Sequence, residues 1–129
     1  MKFKIAYHPV WDQTLTVLEK EKYEQLLNRY SAGGPTISTS TVVIKQKKNG
    51  GIVATLFICN GFNQELYLQE TIVKIVSPTN AIIANAHFTP NLSIPPHSAM
   101  PWSFIFSREN VKCTVSPDEE WTVEISLVG

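Results

Sequence analysis

The sequence predicts a mostly-β domain carrying one amphipathic helix, on three observations. Short apolar runs rich in β-branched and aromatic residues fill Gly51 to Ser107, separated by Asn, Gly and Pro clusters. That is the pattern of strands folding back on one another. One stretch, Thr16 to Tyr30, carries helical spacing instead. The chain has 129 residues, the size of one domain, and can bury about two-thirds of its unfolded surface.

Taken in order, Lys2 to Tyr7 alternates in part and predicts a short first strand. His8-Pro9-Val10-Trp11-Asp12 ends it as a loop, because Pro9 cannot donate to a ladder. The helix is predicted over about 16–30. Thr16 caps its first turn and Glu19 stands three residues on, the spacing of a capping box. Tyr23, Leu26, Leu27 and Tyr30 share one face, and Val17 and Leu18 extend the stripe. A helix with one apolar stripe must lie on the rest of its domain. Ser31 to Pro35 breaks it with two glycines and a proline.

The strands then occupy about 37–129. Ile37 to Lys48 is followed by Asn49-Gly50-Gly51, a tight hairpin signal. Ile52 to Asn60 is apolar on both faces for part of its length, which predicts an interior strand or one covered by the helix. Asn60 reads as a turn residue bonding its own backbone. Glu65 to Val76 is predicted as one long strand with a bulge at Glu70-Thr71. Ala81 to Thr89 pairs back after the Ser77–Asn80 turn, with Ile82, Ala84, Ala86 and Phe88 inward. Pro90 to Ser98 is predicted as a crossing loop. In Met100 to Ser107, Trp102, Phe104 and Phe106 alternate with smaller residues. Burying these rings contributes several kcal/mol at ~25 cal/mol per Å². Trp121 to Val128 closes the chain in strict alternation.

Charge and composition exclude several classes. Lys plus Arg equals Asp plus Glu, so the basic excess of a nucleic-acid binder is missing. No apolar run approaches the ~20 residues of a membrane helix. His8 and Pro9 interrupt the apolar stretch after Lys2 and Lys4, and no small-residue cleavage site follows. The expectation is therefore a cytoplasmic protein that does not insert in membranes. Cys59 and Cys113 leave the compartment open: neighbouring strands would allow a bridge, while in a reducing cytosol both are small buried apolar residues.

No catalytic residues, cofactor or metal ligands are expected. His8, His87 and His97 are far apart in sequence, and none has a partner at zinc spacing. Cys59 has no basic neighbour to activate it. The acidic cluster Asp118, Glu119 and Glu120 reads as a solvated turn. No phosphate-cradling or nucleophile-elbow motif occurs. The expectation is a non-enzyme that works by recognition. Trp11, beside His8 in the predicted loop, is the candidate partner contact; a lid on the core is its other reading.

These residues fall in a familiar order. H-P-x-W (His8 to Trp11) precedes a helix ending L-L-N (Leu26 to Asn28) and the strand V-A-T-L-F-I-x-N-G (Val53 to Gly61). I-P-P-H-S-A-x-P-W-S-F-I-F (Ile94 to Phe106) and W-x-V (Trp121 to Val123) follow. Over nearly its whole length the chain resembles the SLAP domain of Gram-positive, bacillus-type bacteria. The resemblance implies help with accessory Sec-dependent secretion or S-layer protein assembly, with an accessory secretion component or exported cargo as protein partner. It carries over no catalytic residue. The reading is an immunoglobulin-like β-sandwich with an N-terminal helix packed on it. It binds protein at an exposed sheet edge or along the helix groove. The alternatives are a stand-alone structural or regulatory sandwich, homodimeric through its sheet edges, and a small-ligand binder.

Overall fold

A computed structural model describes residues 3–30, 35–112 and 120–127. The fold is mostly β. β1 (Lys4–Ile5) leads into two helices, α1 (Pro9–Thr14) and α2 (Val17–Asn28). Then come β2 (Ile37–Gln46), β3 (Ile52–Asn60), β4 (Leu66–Leu68), β5 (Thr71–Val76), β6 (Ile82–Phe88), β7 (Leu92–Ile94), β8 (Ser98–Phe106) and β9 (Thr122–Leu127). They form a four-stranded sheet in the order β1-β8-β3-β2, a three-stranded sheet β6-β5-β9 and a ribbon β4-β7. β1 runs parallel to β8; the other pairings are antiparallel.

The main core lies on one face of the four-stranded sheet. Ile52, Ala54, Leu56 and Ile58 of β3, with Met100, Phe104 and Phe106 of β8, meet Val73, Ile75, Ala84 and Val123 of the three-stranded sheet and Leu68, Leu92 and Ile94 of the ribbon. On the other face Phe57, Cys59 and Ala99 bury against Leu27 of α2, with Tyr23, Leu26 and Tyr30 beside it. β3 is therefore covered on both sides, which explains its near-continuous apolar run. The Asn49-Gly50-Gly51 hairpin closes as Gly50 N–H donates to the Lys47 carbonyl at 3.0 Å, with Gly50 at φ +89°. A Cβ on Gly51 would sit 2.7 Å from the Phe106 carbonyl oxygen, so this position must be glycine.

Helix α2 starts as its sequence requires. The Thr16 side chain accepts from Glu19 N–H and the Glu19 carboxylate accepts from Thr16 N–H, a complete capping box. Such a cap contributes about 1 kcal/mol.

The structure corrects six expectations. Trp11 lies in α1, not in a loop: Pro9 occupies the first helical turn, where its missing N–H costs nothing, and the His8 ring caps the turn by accepting from Val10 N–H at 3.2 Å. Helix α2 stops at Asn28 rather than Tyr30. Val17 and Leu18 do not extend the buried stripe but stand 73% and 77% exposed. The stretch Glu65 to Val76 is two strands in different sheets, because the chain breaks at Gln69-Glu70. The supposed loop from Pro90 contains β7, which pairs with β4 ahead of the prolines. In β6, Ile83 is an extra residue opposite Ile75 and Val76 of the partner strand, a bulge that lets Ile83 and Ala84 bury in succession and leaves Ile82 exposed. The breaker Ser31–Gly34, Cys113, Asp118 and Glu119 lie outside the described residues.

Candidate functional site

The site follows from how little of β8 is paired on one side. β3 covers β8 from Ser98 to Phe106 along one edge. Along the other edge β1 reaches only Ser98 and Ala99. The Ala99 carbonyl points toward that second edge, where it accepts from Ala6 N–H at 2.9 Å. Backbone groups alternate along a strand, so Pro101, Ser103 and Ile105 point the same way. Pro101 has no N–H. Pro101 is itself buried, whereas the carbonyls and amides of Ser103 and Ile105 face outward with no strand against them among the described residues.

A groove of about 310 Å³ runs along this open edge. One wall is Trp102 to Ile105; the other is Phe88, Thr89 and Pro90, where the chain leaves β6. Its apolar floor is locked: Phe88 meets Phe104 at 5.0 Å and Phe106 at 5.2 Å between ring centroids. The Ser103 hydroxyl is fixed by Thr55 Oγ1 at 2.7 Å. No lining residue is ionisable. Such a surface offers main-chain hydrogen bonds beside an apolar slot, which suits an added extended strand.

His8 and Trp11, the two residues singled out from sequence, stand behind this groove. Both rings pack on Trp102, His8 at 5.1 Å and Trp11 at 6.1 Å. Trp11 also meets Tyr23 of α2 at 6.0 Å, and Tyr23 meets Phe57 at 5.9 Å. α1 is pinned in turn by an ion pair of Asp12 with Lys20 at 2.6 Å. The Lys20 ammonium sits over the Tyr7 ring at 5.4 Å. Burial first, and then the Glu24 carboxylate, pushes the Tyr7 hydroxyl up to about 12. His8 and Trp11 are half-buried. They hold one wall of the groove in place through Trp102.

The other polar candidates do not converge here. His97 Nε2 is hydrogen-bonded to Asn63 Oδ1, and His87 Nε2 lies 4.0 Å from Glu70. Cys59 is a free, buried thiol; burial pushes it up to about 12, partly offset by the Ser38 hydroxyl. Among the described residues no group of three or more His, Cys, Asp or Glu could hold a metal ion. Among them, too, no helix is long and apolar enough to cross a membrane.

Sequence reasoning missed the edge residues Ser103 and Ile105, reading the strand only for its rings. One signal was present: Pro101 sits inside that strand, and proline is confined to the open side of edge strands. A family model described as the SLAP domain matches residues 5–127. No curated protein and no solved structure matches the chain.

Proposed function

The chain belongs to the SLAP domain family, and from that premise we propose that it is a non-enzymatic, immunoglobulin-like protein-binding module that captures an extended segment at the free edge of β8. The observation that carries this reading is the pair of outward backbone groups at Ser103 and Ile105, unpaired by any strand among the described residues, beside an uncharged groove. An added strand satisfies those groups, and its alternate side chains enter the slot over Phe88 and Phe104. The absence of charge from the lining selects apolar segments, such as the strand-forming stretches of a chain not yet folded. In a cytoplasmic member of this family the partner is an accessory secretion component or its S-layer cargo.

Amide exchange tests this. The free protein should show fast exchange at Ser103 and Ile105 and slow exchange at Trp102 and Phe104, which face β3. A peptide of alternating Thr and Val should protect Ser103 and Ile105. Ser103→Pro, which deletes one outward donor, should weaken that peptide about tenfold. Slow exchange at Ser103 and Ile105 in the isolated monomer would sink the reading. Light scattering shows whether protection comes instead from a second copy, and recovery of secretion components with the protein from a bacillus-type lysate tests the partner.

A further inference from the structure

A second groove opens between α2 and β2 and encloses about 490 Å³. Its floor comes from the β-bulge between Thr41 and Val43. An uninterrupted strand would turn Val42 and Val43 to opposite faces; the extra residue lets both line this groove. Val42 packs on the helix-side core, while Val43 remains 39% exposed. Tyr23 and Leu26 of α2 complete the apolar surface.

The rim is charged, and unevenly so. Lys22 lines it from the helix and Lys45 from the strand. Among the described residues the ion pairs are Asp12 with Lys20 and Glu70 with His87, so neither rim lysine has a carboxylate within 4.0 Å. The one acidic lining residue, Glu19, is engaged by the helix end, where its carboxylate accepts from Thr16 N–H at 3.0 Å. That bond and the Thr16 hydroxyl hold its carboxyl below the usual glutamate range. Two ammonium groups on opposite walls thus flank an exposed valine, against the single Glu19 carboxylate, which stays ionised and is turned back onto the Thr16 backbone at the helix end.

We infer that this groove docks an acidic segment of a partner protein, apolar at its centre and carboxylate-bearing at its ends. The apolar residues cover Val43 and Leu26, and the flanking carboxylates reach Lys22 and Lys45. A lysine on a flexible stem adapts to such contacts without a fixed fork geometry. Charge complementarity of this kind sets specificity and on-rate and weakens with salt. The site is separate from the β8 edge, and its occupancy does not depend on strand addition there.

The test uses the capped peptide Glu-Glu-Leu-Val-Glu-Glu, its Gln-for-Glu counterpart and palmitate, each titrated into the intact protein with amide shifts as readout. The acidic peptide should move the signals of Lys22, Tyr23, Val43 and Lys45, and bind about tenfold more tightly than the glutamine version at low salt. Lys22→Gln with Lys45→Gln should abolish that preference, and Ser103→Pro should leave it intact. Both lysines are exposed, so the double variant keeps the fold, which circular dichroism checks. Equal binding of the two peptides, shifts confined to the β8 edge, or palmitate alone occupying the groove would each overturn the inference.

Discussion

Asn60 shows what one side chain does here. It is fully buried at the end of β3. Its Nδ2 donates to the carbonyls of Gln64, Ile94 and Pro95 at 2.8, 3.0 and 3.1 Å, and its Oδ1 accepts from Phe62 N–H at 2.9 Å. The last bond is the local turn contact that an Asn before Gly suggests. The bonds to Ile94 and Pro95 tie the four-stranded sheet to the end of β7, 34 and 35 residues away, and no local pattern reveals them. Asn60→Ala removes every one, including the fully buried bond to the Ile94 carbonyl, so it should cost about 3 kcal/mol in urea denaturation. His8 and Trp11 divide in the same way. Their spacing marked them as unusual, but only their contacts with Trp102 gave them a role.

Element boundaries follow local chemistry where that chemistry is strong. The Thr16–Glu19 box fixes the start of α2. Because hydrogen bonds hold the Glu19 carboxyl below its ordinary range, the unfolded chain takes up this proton at higher pH than the folded one. The stabilising contribution of the charge is therefore full above the unfolded value and is lost as pH falls through the folded one. Glu19→Gln should be less stable than the parent at neutral pH, and the gap should close on acidification, as thermal melts across that range will show. Where two local signals compete, boundaries are lost from view. Leu66 to Val76 alternates well enough for one strand, yet Gln69-Glu70 splits it because β4 and β5 join different sheets. The Pro95-Pro96 pair suggested a long loop, while Leu92–Ile94 just before it found a partner in β4.

For the whole molecule, the aromatic alternation in β8 matters most. Phe106 is fully buried and Phe104 nearly so, both within the main core, while Trp102 turns half-exposed to meet α1 and the groove. Phe106→Ala should cost about 3–5 kcal/mol, a large share of the ~5–15 kcal/mol available to a domain. Circular dichroism should show a correspondingly lower midpoint in a single transition. Helix α2 sits on the same sheet through Leu27 and Phe57, so it should be lost with the strands.

Composition, periodicity and turn residues were enough to establish a mostly-β chain, its hairpin at Gly50, its helix cap and the rings at its centre. Each of these depends on residues within a few positions of one another. Tertiary structure alone decided that β1 stops after two residues and leaves the rest of that β8 edge without a strand among the described residues, and that bulges at Val42 and Ile83 leave Val43 and Ile82 exposed. It also decided that Trp11 would brace a groove wall. Strand partners and register are choices between segments far apart in the chain, made by the fit of whole faces, and no short window of sequence holds that information.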